Sequence, residues 1–249
     1  MDKLSFFRHL LAALEGQEAG VAATVVKIEG DVPGVAPGDR YLWSTGRCYG
    51  SLGPAGLEAA VAERTPEVLA GRRPLLETID LEGGSVTLFL EPALPGPEII
   101  VLGGGHVGQQ VAAVAKLAGY RVTVIDDRPD FANRALFPTA DRIICKNFTA
   151  ALQDIKITPA TFIVIVTRGH RYDYECLRAV IASPAAYIGM IGSRRRVRGV
   201  KERLVEEGVG EDLLERIHAP IGLDIGAETP TEIAVSIMAE IIRVYRCGA

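Results

Sequence analysis

Gly103-Gly104-Gly105-His106-Val107-Gly108 is a run whose spacing could hold a phosphate. Gly103, Gly105 and Gly108 occupy the three glycine positions of the dinucleotide-binding fingerprint. Chemistry demands glycine there for a tight turn, for close approach of backbone to phosphate, and for close helix–strand packing. A helix opening on this loop would offer free N–H groups and a partial positive charge. His106 sits inside the loop, either as a ligand contact or as a polar residue capping the helix. Asp126 follows Gly108 by 18 residues, at the end of the next expected strand, where an acid can take a ribose hydroxyl. Asp127 and Arg128 adjoin it and leave the choice between NAD and NADP open.

Three further clusters follow apolar segments. Thr167-Arg168-Gly169-His170-Arg171-Tyr172-Asp173 offers Arg168 and His170 as anion and acid–base groups. The other reading is a hydrogen-bonded loop with Asp173 capping the next helix. Gly192-Ser193-Arg194-Arg195-Arg196 places Ser193 as an N-cap and three arginines at a helix start. The helix dipole disfavours cations there, which makes sense beside an anion, because guanidinium forks match phosphate. The alternative is a solvated basic turn paired with Glu202 and Glu206. Asp224 and Glu228 lie among glycines between Gly222 and Thr229 and fit a metal, a substrate hydroxyl or a structural role.

The elements that must position these loops alternate. Glu98–Leu102, Arg121–Ile125, Arg142–Cys145, Phe162–Val166 and Tyr187–Ile191 read as strands. Val107–Gly119, Tyr174–Ser183, Val197–Glu207 and Asp212–Ile217 read as helices, and Thr149–Leu152 as the start of one. Alternation of β and α predicts a Rossmann-type doubly wound parallel sheet, with the loops after its strands on one edge. The final helix has Thr229 as N-cap, Pro230 at its first position and Glu232 to close a capping box. Upstream, Leu4–Leu14 and Leu57–Ala70 have helical spacing. Val21–Ile28, Arg40–Thr45, Cys48–Leu52, Leu75–Leu81 and Ser85–Glu91 read as strands of a small α+β domain. A turn is expected at Thr45-Gly46. Three prolines within Glu91–Glu98 favour an extended connector, which divides the chain into residues 1–93 and 94–249.

Composition narrows the function classes. The 249 residues are 48% hydrophobic and 23% charged, with net charge −4, which is a globular balance. Mean hydropathy is +0.21, high for a soluble protein. No apolar run approaches the ~18 residues of a membrane span, so the apolar content is assigned to a buried parallel sheet. With no signal-peptide core near Met1, a cytoplasmic protein is expected. The acidic balance lacks the electrostatic footprint for nucleic acid. Cys48, Cys145, Cys176 and Cys247 form no CxxC pair, and Cys145 and Cys176 read as core thiols. A hydrolase triad, a Walker loop and a His-rich metal site are all missing from the pattern. Metal ligands are therefore not assigned, and binding without turnover stands beside catalysis.

The strings GGGHVG (103–108), DDRPDFAN (126–133), TRGHRYDYECL (167–177), YIGMIGSRRR (187–196) and HAPIGLDIGAETPTEIAVSIMA (218–239) resemble the XdhC/CoxI family. Those proteins mature xanthine dehydrogenase and related molybdenum hydroxylases. Ala22–Glu58 is similar to the family's first domain. The resemblance implies that the chain binds the molybdenum cofactor in its molybdopterin form. It would protect the cofactor, present it for sulfuration and insert it into a xanthine dehydrogenase-type apo-hydroxylase. A cysteine desulfurase is a further candidate partner, and a homodimer a candidate state. Gly103, Gly105, His106, Gly108, Asp126 and Asp127 would form the nucleotide-type pocket. Arg168, His170, Ser193, Arg194, Arg195, Asp224 and Glu228 would complete it. In one departure, Gly56 stands where the family commonly carries cysteine. Two other readings remain: an NAD(P)-dependent oxidoreductase using the same loop, and a nucleotide-sensing regulatory module.

Overall fold

A computed structural model describes residues 3–16, 18–44 and 47–247, with backbone alone at Lys3, Ala55 and His170. The Thr45-Gly46 turn lies outside the described residues. Contacts divide the chain into Met1–Pro95 and Gly96–Ala249.

In the first unit, α1 (Lys3–Glu15) is followed by β1 (Gly20–Gly30), β2 (Arg40–Ser44) and β3 (Arg47–Gly50). Then come α2 (Ala55–Gly71), β4 (Leu75–Leu81) and β5 (Gly84–Ala93). They form an antiparallel sheet of order β3-β2-β1-β5-β4. Alternation places Val21, Ala23 and Val25 of β1 and Val86, Leu88 and Leu90 of β5 in one core with Leu57, Val61 and Val68 of α2. The three-proline stretch is less of a connector than its composition predicts, because β5 runs through Pro92, which pairs with Val21. On its other side β5 loses β4 beyond the Leu75–Leu90 pair. Proline's missing N–H is tolerated where a strand has become an edge. The register of β1 and β5 runs to the pair Gly20–Ala93.

Gly56 is the second residue of α2 and exposed. A Cβ there would make only an ordinary contact, 3.5 Å from Leu81 Cδ2, so packing does not demand glycine. Beside it, Glu58 accepts hydrogen bonds from Ser51 Oγ at 2.8 Å and the Leu52 N–H at 3.2 Å.

The second unit starts with β6 (Glu98–Leu102), α3 (His106–Leu117), β7 (Arg121–Asp126), β8 (Arg142–Cys145) and α4 (Phe148–Gln153). It continues with β9 (Thr161–Ile165), α5 (His170–Val180), β10 (Tyr187–Met190) and α6 (Arg194–Glu206). The short α7 (Glu211–Glu215) and β11 (Ile217–His218) precede the last helix, α8 (Pro230–Cys247). Every strand pair is parallel, in the order β11-β10-β9-β6-β7-β8. Renumbered from β6, this is the 3-2-1-4-5-6 order of dinucleotide-binding sheets read from its other edge. Helices α4, α5, α6 and α7 supply residues to one core layer, and α3 and α8 to the other.

Several boundaries differ from the sequence reading. The sheet has six strands, not five: Ile217, expected in a helix, starts the two-residue β11, too short to show a period. Helix α5 begins at His170, one turn earlier than expected, because Gly169 takes the extended N-cap conformation. Cys145 is exposed at the end of edge strand β8, whereas Cys176 is buried and its thiol pKa is pushed up by burial and by nearby acids. The capping box forms as expected: Glu232 accepts from the Thr229 N–H at 2.9 Å, and the Glu232 N–H donates to Thr229 Oγ1 at 3.3 Å.

One contact sets the distance between α3 and β6. A Cβ on Gly108 would lie 2.0 Å from the Gly103 carbonyl oxygen and 3.3 Å from Val101 Cγ1. The backbone cannot yield there without moving the helix off the sheet. Gly108→Ala is therefore expected to cost about 2–4 kcal/mol through overpacking. Gly105→Ala, whose Cβ would meet nothing within 4 Å, should stay within about 1 kcal/mol of the parent. Urea denaturation of both variants checks the contrast.

Candidate functional site

The sheet order reverses between β6 and β9, both of which lie alongside each other at its centre. Ligands of open α/β sheets occupy the crevice outside the carboxyl ends of the strands at such a point. The turns after β6 and β9 touch there. Gly103 has φ +119°, and a Cβ on it would lie 2.4 Å from the Val166 carbonyl oxygen. Gly105, by contrast, faces open space. It is the N-cap of α3 and gives that helix no side-chain cap, so the first N–H groups remain to be satisfied from outside the helix. His106 is the first residue of α3 and exposed, and it does not provide the capping bond that sequence left open.

Asp126, at the end of β7, is buried to 1% exposure. Its Oδ2 accepts the Gly104 N–H at 2.8 Å and Arg128 Nη2 at 3.0 Å. Its Oδ1 accepts the Arg128 N–H at 3.1 Å and Nε at 2.9 Å. Burial raises the carboxyl pKa, but the bonds from Arg128 and the Gly104 N–H outweigh it and hold the group below its usual value. The Arg128 guanidinium stacks 3.6 Å from the centre of the Phe131 ring. Both oxygens of Asp126 are thus engaged inside the protein, tying the turn after β6 to the turn after β7.

Asp127 points to a different partner. Arg168, in the turn after β9, forks onto it at 3.0 and 3.1 Å. Strand β6 lies between β7 and β9, so this pair spans the carboxyl end of β6. Tyr172 Oη also accepts from Arg168 at 2.8 Å. His170 opens α5, and its side chain lies outside the described residues.

The Ser193–Arg196 run starts α6 after β10, one strand beyond β9. Ser193 caps it, with Oγ accepting the Arg196 N–H at 3.3 Å. The three arginines divide. Arg196 turns inward to an ion pair with the fully buried Asp173, not with Glu202 or Glu206. Arg194 and Arg195 are exposed. Asp173, which the sequence offered as a helix cap, also accepts from Thr167 Oγ1 at 2.5 Å. It therefore joins the turn after β9 to α6. Sequence reading missed that role: only the inward phase of Arg196, next to buried Val197, hinted at it.

Asp224 and Glu228 are exposed in the segment after β11. That segment is anchored by a residue no motif had marked, Glu240 on α8, which is 7% exposed. Glu240 accepts from Tyr187 Oη at 2.5 Å and the Gly222 N–H at 2.9 Å, and its Oε1 lies 3.4 Å from His218 Nδ1. Near the start of the same helix, Thr231 Oγ1 donates to Gln110 Oε1 on α3 at 3.3 Å. The structure therefore gathers Gly103, Gly105, His106, Gly108, Asp126, Asp127 and Arg168 at the switch point. Ser193, Arg194 and Arg195 lie on the loop and helix that follow β10. Asp224 and Glu228 lie on the segment leading into α8.

A parallel sheet with this strand order and glycine turn is the Rossmann class of ligand-binding domain. Residues 99–241 match the family model of the XdhC Rossmann domain, and residues 13–80 match that of the XdhC and CoxI family. The chain belongs to the XdhC/CoxI family. It is 32% identical over 246 residues to the uncharacterized protein YqeB of Escherichia coli, covering 94% of this chain and 45% of that protein. It is also 32% identical over 162 residues to a probable xanthine dehydrogenase subunit of Bacillus subtilis, covering 65% of this chain and 47% of that protein. The chain thus spans about half the length of these relatives. A crystal structure of a xanthine dehydrogenase from Bacillus halodurans shares the fold, with TM-score 0.56 and 22% identity over 100% of this chain and 97% of that one. Among the described residues, no helix is long and apolar enough to cross a membrane.

The Asp126 staple gives a pH-dependent test. Its folded pKa lies below the ordinary 3.8, so the stability it adds is fully present above pH 3.8 and lost as pH falls through the lower, folded value. Asp126→Asn should lose about 1–3 kcal/mol at pH 7 by dropping charge-assisted bonds. It should also flatten the acid decline of Tm below pH 4. Thermal melts of both proteins from pH 7 to pH 2.5 check this.

Proposed function

We propose that this chain binds the molybdenum cofactor by its phosphate at the β6–β9 switch point, and serves the maturation of a xanthine dehydrogenase-type hydroxylase. The open face of Gly105, at the uncapped start of α3, carries the reading. It leaves N–H groups and a positive helix end for a phosphate, and room for backbone-close approach. Membership of the XdhC/CoxI family supports it, as does the likeness to a protein named as a probable xanthine dehydrogenase subunit.

In this reading the cofactor is cargo. Gly103, Gly105 and the first turn of α3 hold its phosphate, with His106 at the rim. Arg168 turns from Asp127 to the incoming anion, exchanging one charge partner for another. Ser193, Arg194 and Arg195 line the next part of the same sheet edge, and Asp224 and Glu228 accept from pterin or ribose donors. The apo-hydroxylase receives the cargo, and a cysteine desulfurase supplies the sulfur installed before transfer.

The oxidoreductase reading draws less support from the geometry. A nicotinamide dinucleotide would ask Asp126 for a ribose hydroxyl, and there it would compete with Arg128 and the Gly104 N–H for oxygens already engaged.

The test is to purify the chain from a molybdenum-sufficient host and measure bound molybdenum and oxidised pterin fluorescence. Near-stoichiometric pterin is expected, falling at least tenfold in Gly105→Val, whose side chain would occupy the phosphate approach. The loaded parent, mixed with apo-hydroxylase, should restore activity. Protein that carries no pterin and confers no activity would overturn the proposal.

A further inference from the structure

Helix α1 is apolar on two sides. Phe6, Leu10 and Leu14 pack with Ala22, Leu42 and Ala93 of the first sheet. Leu4, Phe7 and Leu11 lie outside that core and are each more than half exposed. A helix that is apolar all round belongs in a buried place. The exposed flank has a direction. His9 stacks on Tyr49 of β3, with ring centres 4.3 Å apart. Phe7 and Leu11 lie two positions either side of His9, which turns each about 160° around the helix from it. They therefore look away from β3, toward the β1, β5 and β4 side of the sheet.

That side of the face is open. Arg40, Thr24, Phe89 and Leu76 form one row across β2, β1, β5 and β4. Arg40 begins the row at α1, its guanidinium 4.8 Å from the centre of the Phe7 ring. Leu76 ends the row and is 62% exposed. With strands ~4.8 Å apart the row is about 14 Å wide, enough for one more helix of ~10 Å beside α1. The next row is polar: Thr78 and Thr87 join hydroxyls at 3.0 Å on the surface, and Lys27, opposite Thr87, pairs with Glu29 at 2.7 Å. An apolar strip bounded by polar residues has the anatomy of an interface.

The charges of α1 select the occupant. Lys3 opens the helix and Glu15 closes it, with no acid in the first turn and no base in the last. Both charges oppose the helix dipole. A second α1 lying antiparallel beside the first removes the mismatch. The register that sets Phe7 against Leu11 of the other copy also sets position 3 against position 15, a lysine against a glutamate. The helix flank, ~20 Å by ~10 Å, and the open strip, ~14 Å by ~20 Å, together offer about 500 Å² per copy. The total of about 1,000 Å² is the least that specific association needs.

We propose that this half-covered face is a homodimer interface, in which two antiparallel α1 helices lie between two sheets and each fills the groove between α1 and Leu76 of the other copy. A two-fold axis gives both copies the same contacts. The assignment uses no residue of the switch-point site and does not require that a pterin be bound there.

Sedimentation velocity of the full chain from about 1 to about 200 μM tests it. A reversible monomer–dimer equilibrium with a Kd of about 10 μM is expected from an interface of this size. Leu11→Glu and Leu76→Glu, both at exposed positions, should each weaken dimerisation at least tenfold without lowering Tm. Lys3→Glu alone and Glu15→Lys alone should each weaken it, and the two together should restore it. Val235→Glu, at an exposed apolar position on α8, should leave the affinity unchanged. A chain that stays monomeric across the range overturns the proposal and leaves the face to a different protein. So does a dimer that survives Leu11→Glu and Leu76→Glu, one that is lost in Val235→Glu, or a double charge exchange that fails to restore association.

Discussion

The passage of Gly108 across the Gly103 carbonyl decides how close the first helix of the parallel unit stands to its sheet. That spacing brings the helix start over the end of β6, beside the β9 turn that seals the inner side of Gly103. The turn is left with one closed side and one open side. A larger residue at either sealed position would lift the helix and move its unsatisfied N–H groups away from the switch point. The ligand-facing geometry thus follows from a packing constraint, and the chemistry of the surrounding charges is arranged on top of it.

Those charges follow one pattern. Three buried carboxylates, Asp126, Asp173 and Glu240, each join segments that are distant in sequence. Asp126 ties the turns after β6 and β7, Asp173 the turn after β9 to α6, and Glu240 the segment after β11 to β10. Each is met by charged or strongly polarised donors, as burial of an ionised group requires. The loops at this sheet edge are therefore held by internal ion pairs and hydrogen bonds. Exposed charges such as Arg194 and Arg195 are left to face outward.

Much of this was legible in the residues. The glycine spacing, the alternation of apolar strands with helical segments, and the Thr229–Glu232 cap are local patterns, and local patterns survive folding when the tertiary structure agrees with them. What the sequence hid was pairing at a distance. Nothing next to Asp173 announces Arg196, 23 positions away, and nothing next to Glu240 announces Tyr187. The arginine run read as one unit although Arg196, four positions before Val200, shares the phase of the apolar face; its partner Asp173 was what sequence hid. Pro92 read as part of an extended connector, because the loss of β4 beyond Leu90, which makes a proline tolerable in β5, is a tertiary fact.

The register that ends with Gly20 opposite Ala93 has a consequence for how the first unit is made. Strand β1 is central in its sheet, yet its neighbour β5 lies about 60 residues further along the chain. During synthesis β1 can pair with β2 as soon as both have emerged, but its other edge must wait for β5. Until then a Val-rich strand presents an open row of N–H and C=O groups. The interval before its last strand arrives is when the centre of this sheet is an edge, well before any ligand is met.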